Sequence, residues 1–350
     1  MTDSIAFRGF AHRNRYPTVA VPVIEGSVPV VSAVSYGVVD TAGGGERIVV
    51  TVDSSVGCTS IAAGGAAFTS FTIDDATHVS GVPAAHAAGI VDVVVTNATG
   101  PSTTGTGLIE YFTPSDLTPT LALLPGDYAV VGTQGVDAIG TWQDSSGNNY
   151  DAVSSGGVSA PAAISGVPDF VAADSLHLVI AASLGSVAGS PPDLATLSAG
   201  TQIVFFEPDQ SSGAASADYA DAVVMCGDGA SAGICYNDDG VTWEAYDEVG
   251  LVYRRPTASA AALSQKHFAC GRWSGSTWDC RTNGSLQTTT ADANVLSNGN
   301  VGPNTELERS YTGGRYFDGR IRAVLVYATA LSNANLTKIR SWGQQRGIAA

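Results

Sequence analysis

Residues 310–348 constrain the fold most. Phe317-Asp318-Gly319 reads as a turn, and the apolar run 321–327 after it reads as a strand. Ser332 is then placed to cap a helix whose Leu336, Ile339 and Trp342 fall three residues apart on one face. Gly347 stands where a left-handed stop belongs. One terminal helix on an otherwise strand-rich chain predicts an all-β protein, a β-sandwich closed by a C-terminal clasp.

The rest of the chain agrees with that class. It has 350 residues, 41 of them Gly, and only 14% are charged, which suits many short strands joined by tight turns. That length predicts two domains. No apolar run approaches the ~20 residues of a membrane helix. The first ten residues hold no apolar stretch of the kind that marks Sec export, so no signal peptide is expected. The net charge of −16 argues against nucleic acid, because phosphate repels an acidic surface.

Residues 1–26 read as an extended arm. Arg8, Arg13 and Arg15 interleave with Phe7, Phe10 and Tyr16, and Pro17 and Pro22 disfavour helix. These six side chains are the candidate assembly anchor, basic and aromatic against an acidic body. Residues 27–113 read as a small sandwich of strands at 29–36, 46–53, 58–63, 67–73, 77–82, 90–97 and 107–112. Ile48, Val50 and Val52 share one face of a strand, as do Val91, Val93 and Val95. A Pro-containing linker, 114–120, leads into a larger sandwich over 121–350.

Two resemblances attach to these segments. P-V-V-S-A-V-S-Y, T-A-G-G-G-E-R-I-V-V-T-V, V-D-V-V-V-T-N-A-T-G-P-S and L-I-E-Y-F resemble the IPT/TIG family of immunoglobulin-like domains. The match departs after the second strand, where D-S-S-V-G replaces the usual G-x-x-F. That family implies an Ig-like sandwich and no single function, since it occurs in receptors, transcription factors, carbohydrate enzymes and phage virion proteins. In the larger segment, T-W-Q-D-S-S-G-N, S-Q-K-H-F-A-C-G-R-W, S-G-S-T-W-D-C-R-T-N-G-S-L and the terminal F-D-G-R-I strand with its helix resemble laminin-G-like, concanavalin A-like jelly rolls. That resemblance implies a fold that mostly binds. Asn283-Gly284 is also a type I′ turn signal on physical grounds alone.

The search for chemistry finds binding residues rather than a reaction centre. Glu244 and Glu248 would share a strand face ~13 Å apart. Glycosidic cleavage needs carboxyls ~5 Å or ~6.5–9.5 Å apart. His12, His78, His86, His177 and His267 form no metal pair by spacing. Calcium could sit on Asn237-Asp238-Asp239-Gly240 or on Asp144, Asn148 and Asp151, although such residues also form turns without an ion. Of the aromatic platforms a sugar needs, Trp243 and Trp278 lie beside turns, so they and Asp238 and Asp239 are the candidate glycan-binding residues. Cys226/Cys235 and Cys270/Cys280 each flank a turn and could close hairpin disulfides or remain buried thiols.

Two binding-type domains behind a basic aromatic arm predict a non-enzymatic virion protein of a tailed phage. It would be a capsid decoration protein, head fibre or tail-associated adhesin, with the jelly roll outward to contact host-surface glycans. Its expected partners are other virion proteins and further copies of itself, with no cofactor beyond that calcium. The alternatives are a bacterial surface or secreted glycan-binding protein and a jelly-roll polysaccharide hydrolase or lyase.

Overall fold

A computed structural model gives the structure of the protein. It describes residues 27–102, 105–130, 139–154, 162–164, 167–170, 178–181, 199–209, 221–226, 232–237, 240–245, 264–274, 277–291, 304–307, 317 and 319–349. Strands dominate, and a single helix, Asn333–Gln345, closes the described chain.

Residues 27–112 build three small sheets around one core. Val31–Val34, Ile48–Val52, His78–Gly81 and Thr72–Ile73 form a four-stranded sheet in that order. Val38–Val39, Ile109–Tyr111 and Gly89–Val91 form a second, and Ala66–Ala67, Cys58–Ala63 and Val93–Asn97 a third. The alternation of Ile48, Val50 and Val52 becomes a buried face that meets Ile61, Val79, Val93 and Val95. The expected strand 90–97 is in fact two strands in different sheets. The break falls at Asp92, whose side chain accepts the Gly107 N–H (2.8 Å) and whose carbonyl accepts that of Gly64 (3.0 Å). Likewise 29–36 is shorter than expected, because the chain leaves the first sheet after Val34 and joins the second at Val38.

The expected linker is structured. Pro114–Leu117 is a turn of 3-10 helix with a capping box, in which Thr113 and Asp116 bond each other's backbone. Tyr327 fixes it by donating its hydroxyl to the Pro114 carbonyl (3.2 Å).

The larger unit is one antiparallel ribbon folded into two layers. Leu121–Val130 belongs to both. Its Leu121–Leu123 pair with Val324–Val326, and its Tyr128–Val130 pair with Ile139–Trp142. From its first half the order continues through Gly319–Tyr327, Ala199–Pro208, His267–Ser274, Thr277–Thr282 and Ser285–Ala291. From its second half it continues through Ile139–Asp144, Ala152–Ser154, Leu178–Ala181, Asn304–Leu307, Asp221–Cys226, Ala232–Asn237 and Gly240–Ala245. The two halves fold face to face, so Ala199–Pro208 and His267–Ser274 lie against Ala232–Asn237. Asn283 (φ 49°) and Gly284 (φ 84°) adopt the left-handed pair that a type I′ turn requires.

Register decides the cysteines. Cys270 faces Arg281, and Cys280 faces Gly271, one residue out of step. Neighbouring strand residues alternate faces, so the two thiols point to opposite sides of the ladder. Both are free and buried, and the hairpin disulfide is not formed. Cys226 lies opposite Ala232 and Cys235 opposite Ala222, which sets them about 10 Å apart along the ladder. That exceeds the ~7 Å a disulfide spans.

The helix starts where the cap predicts. Ser332 Oγ accepts the Asn335 N–H (3.2 Å), and Gly347 ends the helix at φ 69°. Leu336, Ile339 and Trp342 are buried against Ile203, Phe205, Phe268, Ala323 and Leu325 of the first layer. The same cluster takes in Phe112 and Val38 of the N-terminal unit. The helix is therefore wedged between the two β units.

Candidate functional site

The strand Ala199–Pro208 of the first layer is covered on both faces. Along Ala199–Pro208 every residue after Ala199 is buried, with Ile203 and Phe205 facing the helix cluster. On the opposite side Phe206 packs edge-on to Phe317 (5.8 Å between ring centroids). One end of the ribbon folds back over the edge of that layer.

At that edge, Gly240–Ala245 lies over His267–Ser274 and Thr277–Thr282. The fold thus brings together the strands that carry Trp243 and Trp278, which are distant in sequence. Trp243 is the register partner of Ile234, which is wholly buried, and Trp278 of Trp273, also buried. Asp238 and Asp239 lie outside the described residues, between the paired Asn237 and Gly240. The arm residues Phe7, Arg8, Phe10, Arg13, Arg15 and Tyr16, together with Glu248, also lie outside the described residues.

The hairpin carrying Trp278 is anchored by charge. Arg272 and Asp279 are register partners, and the guanidinium pairs with the Asp279 carboxylate. Arg272 also donates to the Leu331 carbonyl (2.6 Å) and to Asn333 Oδ1 (3.0 Å), and Arg281 donates to the same Asn333 oxygen (3.0 Å). The hairpin and the start of the helix are thereby one hydrogen-bonded body. Such support lowers the conformational cost of presenting a fixed side chain to a ligand.

Other carboxylates are already engaged. Asp144 accepts N–H groups from Ala122 (2.9 Å), Ser146 (2.9 Å) and Tyr150 (3.0 Å), and Asp151 accepts that of Asp144 (2.8 Å). Asn148 donates to the Thr120 carbonyl (2.9 Å). These residues order the loop's own backbone, as turn formers do. Among the described residues no group of three or more His, Cys, Asp or Glu is arranged to hold a metal ion. Glu207 lies between Arg320 (3.1 Å) and Arg322. Burial pushes its carboxyl up, but the Arg322 hydrogen bond and the charges of Arg322, Arg320 and Lys266 outweigh this and hold it below the usual carboxylate range.

A second polar cluster joins the two β units. Trp342 Nε1 donates to Asp40 Oδ2 (2.7 Å), and Arg346 Nε approaches the same oxygen (3.7 Å). Gln345, wholly buried, donates to the Gly44 carbonyl (2.6 Å), and its own carbonyl accepts the Glu46 N–H (2.6 Å). Gly45 (φ 75°) lies so close to Gln345 that a Cβ there would overlap it. Lys338 pairs with Glu110 (2.6 Å) and lies over the Phe112 ring. Sequence reasoning missed this cluster. Its partners are some three hundred residues apart, and Gly43-Gly44-Gly45 reads locally as an ordinary turn.

The comparisons fit the topology. Residues 185–337 match the Laminin_G_3 family, the concanavalin A-like lectin/glucanases superfamily. The chain therefore carries a concanavalin A-like jelly-roll domain, on a mostly β framework with one C-terminal helix. Similar solved structures include the CBM40 of a Ruminococcus gnavus IT-sialidase bound to α2,6 sialyllactose (17% identity over 42% of this chain and 85% of that one, TM-score 0.34). Domain 4 of AbnA, a GH43 extracellular arabinanase from Geobacillus stearothermophilus, in complex with arabinotriose, is another (13%, 56% and 91%, TM-score 0.43). A Trypanosoma rangeli sialidase is a third (11%, 75% and 44%, TM-score 0.47). No curated protein sequence matches the chain. Among the described residues no helix is long and apolar enough to cross a membrane.

Proposed function

We propose that this protein is a non-enzymatic glycan-binding module, presented at fixed orientation by the N-terminal unit. The observation that carries the reading is the convergence of Gly240–Ala245 with Thr277–Thr282, which brings together the two strands that carry Trp243 and Trp278. Trp243 and Trp278 supply the platforms there, with Asp238 and Asp239 as hydroxyl acceptors. The engaged state of Glu207 and Asp144 supports binding over hydrolysis, since neither is a carboxyl free to shuttle protons.

The setting we infer is the virion of a tailed phage, where the module decorates the capsid, forms a head fibre or serves a tail adhesin. An Ig-like unit of the IPT/TIG kind would attach, and the jelly roll would face the host. The test uses the full chain on an array of bacterial and host glycans. Binding that Trp243→Ala and Trp278→Ala each weaken at least tenfold is the expected result, with the unfolding midpoint compared alongside. Reducing-end release from any polysaccharide, or full binding by both variants, would overturn the reading. Mass spectrometry of purified virions addresses the setting, and absence of this chain from them would contradict it.

A further inference from the structure

One rim of the N-terminal unit is apolar, acidic and uncovered. In the four-stranded sheet Val31 pairs with Val52, Thr51 with His78 and Ile73 with Val79. This register sets Val30, Asp53, Thr77 and Asp74 along one end, across about 14 Å. The loop after Asp53 adds Val56 to the same end, held there by Ser55, whose N–H donates to the Ala76 carbonyl and whose hydroxyl donates to the Asp75 carbonyl. Val30 (40% exposed), Val56 (66%) and Ile73 (47%) are three of the four large apolar side chains exposed among the described residues. Asp53, Asp74 and Asp75 are exposed between them. Their hydrogen bonds come from Val30 N, Ser80 Oγ, Thr77 and His78, and no Arg or Lys of the described residues pairs with them. Arg47 reaches only as far as Ser80.

The described chain begins at this rim. The Ser27 carbonyl accepts from Asn97, Asn97 pairs with Cys58, and the Cys58 N–H bonds Ser55 beside Val56. Residues 1–26 join there, and they hold the opposite character: Arg8, Arg13 and Arg15 among Phe7, Phe10 and Tyr16. We infer that this rim is the docking surface for residues 1–26 of the same protein, the aromatics covering Val30, Val56 and Ile73 and the arginines meeting the three aspartates. The arm would be taken up by its own rim or by that of a neighbouring copy, and in the second case it links copies into a lattice. The inference stands whatever the jelly roll binds.

The experiment places a photo-crosslinking benzoylphenylalanine at Phe10 of the full chain. It is run on an equal mixture of ¹⁴N and ¹⁵N protein and read by peptide mass spectrometry. Crosslinks should concentrate in 53–57 and 73–76, mixed-isotope pairs marking a neighbour's rim and same-isotope pairs the arm's own. Asp53→Asn, Asp74→Asn and Asp75→Asn together remove the charge but leave one acceptor oxygen on each side chain, and should lower the yield about fivefold, given the modest strength of exposed ion pairs. Arg8→Glu, Arg13→Glu and Arg15→Glu, which leave the described fold untouched, should do the same, and changing the three aspartates to Lys should restore it. Asp92→Asn, at the crossing between sheets, should change nothing. Crosslinks spread over other surfaces, or a yield indifferent to both charge sets, would overturn the inference.

Discussion

Trp342→Phe removes one hydrogen bond and part of one ring from the junction between the two β units. Trp342 is 2% exposed and Asp40 8%, so the bond is shielded from water. A hydrogen bond to a charged acceptor contributes about 1.5–3 kcal/mol. Replacing the indole by a smaller ring leaves space beside Phe205 that costs about 1–2 kcal/mol more. The Asp40 carboxylate keeps the Ala42 N–H (2.8 Å) and the distant Arg346 Nε (3.7 Å), which softens the loss. The net expectation is about 3–4 kcal/mol, a large share of the ~5–15 kcal/mol that stabilises a typical domain. The assay is guanidinium unfolding of the full chain, with Asp40→Asn as the second arm of a double-mutant cycle. Coupling of about 1–2 kcal/mol is expected for residues in direct contact. Additivity within ~0.5 kcal/mol would show that the pair does not join the units and would refute this reasoning.

Three further outcomes follow from the same structure. Gly343→Ala gains about 1 kcal/mol of helix propensity, yet its methyl would overlap the Phe205 ring, and overpacking of about 1–3 kcal/mol should lower the melting temperature. Glu207→Gln takes the carboxylate from Arg322, while Arg320 keeps Asp209 (3.3 Å), and should cost about 2 kcal/mol, below the ~3–5 kcal/mol of a fully buried pair because the site is partly open. Because the folded Glu207 carboxyl titrates low, its stabilisation is present above the unfolded pKa near 4.3 and is lost as pH falls through the folded value. The variant should therefore lose that part of the acid slope in unfolding measured between about pH 5 and pH 2. Native alkylation should miss Cys270, whose thiol burial pushes well up, while alkylation after unreduced denaturation should modify both Cys270 and Cys280. A linked Cys270–Cys280 peptide would contradict the register.

Local signals were legible and long-range ones were not. The Ser332 cap, the spacing of Leu336, Ile339 and Trp342, the alternation of 48–52 and the Asn283-Gly284 turn each depend on a few adjacent residues, and each appears as expected. Trp142, in the T-W-Q-D-S-S-G-N motif, is wholly buried, its indole donating to the Leu124 carbonyl (2.8 Å). The run 90–97 misled because continuous apolar periodicity does not reveal a change of hydrogen-bonding partner at Asp92. The helix reads as a clasp on one sandwich, but its polar end reaches Asp40, Gly44 and Glu46 of the other unit. Nothing near Trp342 announces a carboxylate so distant in sequence. The meeting of Gly240–Ala245 with Thr277–Thr282 depends in the same way on how the ribbon folds over, which strand patterning leaves open.

The central claim is that the C-terminal helix makes one mechanical body of two β units. Native-state hydrogen exchange of the full chain, with and without Trp342→Phe, tests it most directly. The substitution should lower protection of Ile48–Val52 in the N-terminal unit and of Ala199–Pro208 in the jelly roll by the same free energy. Loss confined to Ala199–Pro208 and the helix, with Ile48–Val52 exchanging as before, would show that the units stand independently.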